Sequence, residues 1–521
     1  MSVKSILAIP PFPGARTRNF AVRESAGRAC STEPDELLAA LAADRVGGCY
    51  WGRHAILPPG PYVLDGTGCG GAGAVAWGDD EDPWHLLGRA DFVRVNENDP
   101  RALLALAAQV PVMLVSADGG VRDACSHDAK RLIETFLAGW RYQSPFDNCE
   151  LSALDAIALC GFWRQQIDAN RLIHSVMGIA YWKKPTVSAL LWAGTKVPYN
   201  RPLDGAPAGA AAAIWRSRLK GAQQRELERT QLDIIEIEDG FMRSHGLGAD
   251  CIPPLSIIVD DLGAHFAPGR PSRLEMLLQT GDFAPDLIER ARKLRQSIIA
   301  AGLSKYESGA KQKLGRPGGE RRHVLVPGQV EGDRAVTSGG ALSSNLELLQ
   351  RARAVAGPDA FLIYKPHPDV LAGHRRGLIP EKDLANLTDA VDTTSPMPSL
   401  MDMVDELHVN SSLAGFEALL RGKPVTVHGV PFYAGWGLTT DLGPVPARRT
   451  ARRSVDELVA AALLLYPRYF DPKSGLPAPA EVVVARLASG SGPDLDLGQL
   501  TIVAGRRLQG RLLAGLARLA R

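Results

Sequence analysis

Two neighbouring carboxylates at the end of an apolar run are the first residues of this chain whose types could do chemistry. Glu238-Asp239-Gly240 follows Leu232-Asp233-Ile234-Ile235-Glu236-Ile237, the pattern of a buried strand that closes in a tight turn. Ligands of open α/β sheets bind at strand ends, so either acid is a candidate proton donor or acceptor. The competing expectation is that Asp239 caps the next element and Glu238 is solvated. Further polar groups end later apolar runs: Gln329 and Asp333 after His323 to Pro327, Lys365 and His367 after Phe361 to Tyr364, and Ser411 and Ser412 after Leu407 to Asn410. A His-Pro pair by itself is an ordinary turn. Ser411 and Ser412 stand where a helix running to Arg421 begins, so their hydroxyls and its free amides can receive a phosphate. Lys365 and His367 can add positive charge and a donor beside a departing phosphate. Glu417, one turn into that helix, can accept from ribose hydroxyls or simply face water.

The elements that must hold these groups alternate between helical and β patterns. A helix is expected near 217–229, strands at 232–237 and 255–261, and helices at 284–301 and 344–356. Such alternation argues for parallel βαβ units. The polar, glycine-containing stretch Lys305 to Arg322 reads as a linker, so two α/β lobes should enclose a cleft. Residues of about 170–200 read as a basic, aromatic connector (His174, Tyr181, Trp182, Lys183, Lys184, Trp192, Lys196), chiefly for packing. Nearer the N-terminus, Ile6 to Ile9 reads as a strand and Pro34 to Ala43 as a helix. Gly66, Gly68 and Gly71 meet a dinucleotide-binding spacing, but the acidic Asp79 to Asp82 follows too soon for the helix it must open; an irregular loop is expected.

An internal repeat links the two ends of the chain. Leu86 to Asn98 aligns with Leu400 to Ser412, and Leu132 to Asp147 resembles Leu458 to Pro472 in the same order. The front copy carries Glu97 and Asn98 where the later one has Ser411 and Ser412.

Composition narrows the possibilities. The 521 residues suffice for about three or four domains, and 59 Lys+Arg against 57 Asp+Glu give no sign of a nucleic-acid partner. Seven cysteines with no CxxC pair suggest reduced thiols rather than a disulfide framework or zinc site. No signal-peptide pattern and no run of about 18 apolar residues stand out, which points to a cytoplasmic protein.

Glu-Asp-Gly, Gln-Val-x-x-Asp, Lys-Pro-His-Pro-Asp, Ser-Ser-Leu-Ala-Gly-Phe-Glu-Ala-Leu and Pro-Phe-Tyr-Ala-Gly-Trp-Gly-Leu-Thr-x-Asp together resemble the bacterial capsule β-Kdo glycosyltransferases of the KpsC/KpsS type over about 170–490. The shorter Glu-Asp-Gly, His-Pro and Ser-Ser pattern is shared with bacterial sialyltransferases. The resemblance implies an α/β, GT-B fold: two Rossmann-like lobes facing a cleft, here preceded by a partial, degenerate copy of the nucleotide lobe. It divides the chain into that module at 1–165, an acceptor-side lobe at 166–320, a CMP-sugar-binding lobe with closing helices at 321–490, and a tail at 491–521. It further implies a retaining transferase with CMP-Kdo as donor, a phosphatidylglycerol-linked glycolipid as acceptor, and neither cofactor nor metal. Retention by double displacement needs a carboxylate nucleophile and a second carboxyl group. Asp333 matches the aspartate of the family's Gln-x-x-x-Asp motif and is the expected nucleophile. Glu238 is then the expected acid/base, with Asp239 second. Gln329, Lys365, His367, Ser411, Ser412 and Glu417 are the expected donor-binding residues, and Arg243 or Lys365 should meet the donor's carboxylate. A transferase for another CMP-activated acid and a non-catalytic assembly or export factor remain alternatives.

The tail from Leu500 to Arg521 alternates leucines with Arg506, Arg507, Arg511, Arg518 and Arg521. Such a basic amphipathic helix either lies on an anionic membrane or packs on protein. With a lipid acceptor, the expectation is peripheral attachment to the inner membrane, with other capsule biosynthesis and export proteins as candidate partners.

Overall fold

The computed structural model describes residues 4–17, 19–23, 32–68, 73–244, 251–304, 312–373 and 375–490. The basic tail, the middle of the glycine-rich stretch and residues 305–311 of the expected linker lie outside them. The chain forms two compact units, one of Met1–Leu172, Ser188–Val197 and Lys473–Pro477, the other of Ile173–Val187, Pro198–Pro472 and Ala478–Arg521.

The larger unit contains two sheets. Strands Ile173–Met177, Ala211–Ile214 and Asp233–Asp239 run parallel, so the beginning of the expected connector is in fact the edge strand of the first sheet. Ser256–Asp260 was expected to continue the parallel pattern but pairs antiparallel with Asp233–Asp239, Glu238 lying opposite Ile258. Gly240 shows how closely the return approaches: its N–H bonds Ser256 O at 3.0 Å, and a Cβ there would collide with the Ser256 side chain. Pro467–Asp471 pairs antiparallel with Ser256–Asp260.

The second sheet is wholly parallel, in the order Ala390–Val391, Phe361–Lys365, His323–Pro327, Glu406–Val409, Val425–Val427, Thr440–Asp441. Numbered within the sheet this is 3-2-1-4-5-6, the order of nucleotide-binding doubly wound folds. Its central strands are buried on both faces, which is why they read as unbroken apolar runs. The chain reverses direction across the sheet between His323–Pro327 and Glu406–Val409, and the crevice beyond their carboxyl ends is where such a sheet takes its ligand.

The smaller unit carries a five-stranded sheet in the order Ala74–Ala76, Tyr62–Asp65, Ala90–Asn96, Val112–Val115, Val121–Asp123. Ile6, Leu7 and Ile9 are buried but form no strand; Ile6 N–H instead bonds Phe136 O at 2.8 Å. The sequence repeat is also a repeat of elements. Strand Ala90–Asn96, helix Arg101–Ala107 and strand Val112–Val115 recur as Glu406–Val409, Leu413–Leu420 and Val425–Val427. Helix Ser126–Ile133 then widens into the π-helical turn Glu134–Ala138 before strand Trp140–Gln143. Helix Val455–Val459 does the same through Ala460–Leu465 into Pro467–Asp471. Because π-helical turns are rare, their recurrence at matching positions is strong support for the repeat. The matching tyrosines even make matching bonds, Tyr142 OH to Leu137 O at 3.0 Å and Tyr469 OH to Leu463 O at 2.7 Å.

Candidate active site

Side chains two apart on a strand share a face, so Glu236 and Glu238 point one way and Asp239 the other. Asp239 meets Lys183 Nζ at 3.0 Å and Arg243 Nε at 3.1 Å. Glu236 meets Arg216 Nε at 2.9 Å and, at 3.8 Å, Arg270. Arg334, from the second lobe, reaches both glutamates: Nη1 donates to Glu238 Oε1 at 2.6 Å and Nη2 to Glu236 Oε2 at 3.1 Å. Its guanidinium lies 5.0 Å from the centre of the Phe266 ring, a cation–π contact that steadies it. Burial pushes the Glu238 carboxyl up to about 7; Arg334 works against that rise, and Asp239 adds to it. A carboxyl group near neutrality can give or take a proton at physiological pH.

On the second sheet, Gln329 and Ser411 meet across the crevice where the strand order reverses. Gln329 Nε2 donates to Ser411 Oγ at 3.1 Å, Ser411 N–H to Gln329 Oε1 at 3.0 Å, and Ser411 Oγ–H to Ala335 O at 2.9 Å. Asn345 fixes the Gln329 backbone from both sides, at 2.8 Å each. Ser412 caps helix Leu413–Leu420, its Oγ accepting from Ala414 N–H at 3.2 Å. Glu417 is buried on that helix. The Pro431–Asp441 motif serves as scaffold behind it: Tyr433 OH donates to Ser412 O, and a Cβ on Gly415 would strike the same hydroxyl. Phe432 stacks on Phe241, just past Glu-Asp-Gly, with centroids 4.6 Å apart.

The remaining expected residues are placed less uniformly. Asp333 is exposed and caps helix Arg334–Gly339, Oδ1 accepting from Arg334 N–H at 2.7 Å. His367 caps Pro368–Leu371 through Nδ1, which accepts from Asp369 N–H at 3.1 Å; a neutral ring therefore carries its proton on Nε2. Lys365 is buried and donates to Ser395 O at 2.6 Å, 3.7 Å from Asp392. Arg243 is 1% exposed, its donors directed to Ser244, Ile252 O and Asp239, so it is an internal support of Asp239 in this structure. Sequence reasoning missed Arg334, Glu236 and Asn345. The available signals were that Arg334 directly follows Asp333 and that Glu236 shares a strand face with Glu238.

The other crevice is filled from within. In the smaller unit, Arg101 donates to Gly66 O at 2.7 Å and Trp77 O at 2.6 Å while pairing with Asp99. Arg131 donates to Asn98 Oδ1 and Glu97 O, both at 2.7 Å. His54, Asp82 and Asp168 approach one another closely enough for a metal, but Arg164 lies 2.8 Å from both aspartates and Arg171 2.9 Å from Asp168. Those guanidiniums already supply the positive charge, and the set does not fit a cation.

Comparison with known proteins supplies the family. Residues 213–469 match the family described as "Capsule polysaccharide biosynthesis protein". The "Lipopolysaccharide-processing protein LpsZ" of Rhizobium meliloti is 45% identical over 346 residues, 64% of this chain and 78% of that protein. The "Capsule polysaccharide modification protein LipA" of Neisseria meningitidis serogroup A is 42% identical over 256 residues, 49% of this chain, which spans only 36% of that longer protein. Among solved structures, the beta Kdo 2,4 transferase of Thermosulfurimonas dismutans KpsC matches with a TM-score of 0.53 at 32% identity, over 60% of this chain and 98% of that one. With two Rossmann-like sheets in one unit the fold is GT-B-like, and the chain belongs to the capsule polysaccharide biosynthesis family of the KpsC/KpsS type.

Proposed function

We propose that this protein is a retaining glycosyltransferase that moves Kdo from CMP-Kdo to a lipid-linked acceptor in capsule biosynthesis. The observation that supports this most is the 2.6 Å contact between Glu238 and Arg334, because Arg334 is the residue after Asp333. The two carboxylates the reaction needs are thus carried by segments that touch.

In this reading the Asp333 carboxylate attacks the anomeric carbon, the carbon–oxygen bond to the phosphate breaks, and CMP departs with the electron pair. Glu238 then takes the proton of the acceptor hydroxyl as its oxygen attacks that carbon and displaces Asp333. Two inversions give net retention. The phosphate is received at Ser411, Ser412 and the amides of helix Leu413–Leu420, with Lys365 and His367 nearby, so protein groups offset its charge without a metal or cofactor. Gln329 aligns Ser411, and Glu417 faces the ribose. Asp239, paired with Lys183 and Arg243, braces the strand.

The smaller unit is, in the same reading, a degenerate copy of the nucleotide lobe whose crevice Arg101 has closed. Among the described residues no helix is long and apolar enough to cross a membrane. A cytoplasmic protein held peripherally on the inner membrane, where its glycolipid acceptor and other capsule proteins reside, is the working picture.

Mass spectrometry of the protein incubated with CMP-Kdo tests the chemistry. A covalent sugar adduct that vanishes in Asp333→Asn is expected. Its absence from the wild type would refute double displacement, and turnover of CMP-sialic acid in place of CMP-Kdo would reassign the donor.

A further inference from the structure

Glu236 and Glu238 share Arg334, but they depend on it unequally. Glu236 is 6% exposed and keeps Arg216 and Arg270 beside it if Arg334 leaves. Glu238, 17% exposed, has Arg334 as its ion-pair partner. Other charges face Glu238 from around the strand: Asp239 and Glu236 on the strand itself, and Lys183 from the turn Tyr181–Lys183. Lys183 is engaged with Asp239 at 3.0 Å. Arg334 is therefore the cation best placed to keep this half-buried glutamate ionised. Its backbone N–H is also the donor that the Asp333 carboxylate accepts, at 2.7 Å.

We propose that Arg334 is a positioning residue that ties the two carboxylates together, holding Glu238 as a carboxylate aimed into the crevice whenever the helix start carrying Asp333 is docked against strand Asp233–Asp239. This rests on the reading of Glu238 as the base that receives the acceptor's proton. The bond count is simple: Arg334 keeps its own proton throughout, and the proton that Glu238 accepts comes from the acceptor hydroxyl. Sugar transfer to Asp333 does not consume that proton, so the two half-reactions should respond differently when Arg334 is changed.

The test measures adduct formation on Asp333 and transfer to acceptor, each across pH 5.5–9.5, in the wild type, Arg334→Met and Arg334→Lys. Transfer by Arg334→Met should have its acid limb moved up by at least ~1 pH unit, a tenfold loss on that limb that closes as pH rises. Arg334→Lys, which retains a cation, should fall between, while adduct formation changes by only a few-fold. An unmoved limb with a raised KM for donor would put Arg334 on the donor's carboxylate and overturn the proposal. Equal losses in both half-reactions at every pH would also overturn it. A wild type that forms no adduct would instead defeat the double-displacement reading, and this inference with it.

Discussion

Lys183 lies between an acid and a ring: its Nζ is 3.0 Å from Asp239 Oδ1, and the centre of the Trp215 ring is 3.3 Å from the same nitrogen. Burial pushes this lysine down to about 8, with Asp239 opposing the shift. Its folded value is thus below the ordinary one of about 10.4. Between those values the unfolded chain binds a proton that the folded chain does not, so this group's contribution to stability rises with pH. Lys183→Met should melt a few degrees below the wild type at pH 7, because Asp239 loses one of the cations paired with it. Its deficit should widen between pH 8 and 10. Thermal denaturation at several pH values checks this, and a deficit that shrinks over that window would count against the assignment.

The two crevices give a second prediction. Ser411→Ala removes the hydroxyl that joins Gln329 to Ala335 O, and His367→Ala removes the cap of Pro368–Leu371. Each should reduce CMP release with acceptor by ~10²-fold or more. Asn98→Ala breaks a bond to Arg131 in a crevice that Arg101 already fills, and activity should stay within about twofold of the wild type because no transition-state contact is lost. Comparable losses at Asn98 and Ser411 would mean that the smaller unit takes part in catalysis.

Much of this arrangement was legible from sequence because buried parallel strands write themselves as apolar runs. The runs at Ile234, Val324, Leu362 and Leu407 each mark a strand whose end carries a candidate group. Direction was not legible: nothing in Leu255 to Asp261 distinguishes an antiparallel return from another parallel strand, and the answer lies in the close approach of Ser256 to Gly240. Arg334 was invisible for a different reason. An arginine after an aspartate in a polar turn looks solvated, and its partner Glu238 is 96 positions away. The π-helical turns are likewise unreadable as geometry, although the repeated sequence around them was plain.

A buried histidine pair in the second lobe should make the protein sensitive to mild acid. His408 Nδ1 and His428 Nε2 are 3.2 Å apart, and each residue is 1% exposed. One ring can donate to the other only while a nitrogen stays unprotonated, and two imidazolium rings would repel. Burial pushes His428 down to about 4, with His408 and then Arg351 adding to the shift; Glu406, 3.6 Å from His408, draws on the other ring. Because the folded value lies below the ordinary 6.5, the unfolded chain takes up a proton between pH 6.5 and 4 that the folded chain refuses. The His428 contribution is therefore intact above pH 6.5 and is lost as pH falls, by up to about 3 kcal/mol across the window. Carboxylates titrate in the same range, so the comparison must be differential. Calorimetry of the wild type and His428→Gln from pH 7 to 4 should show the wild type losing melting temperature more steeply. Parallel curves would mean that the pair relaxes or admits water on protonation, and that the acid response arises elsewhere.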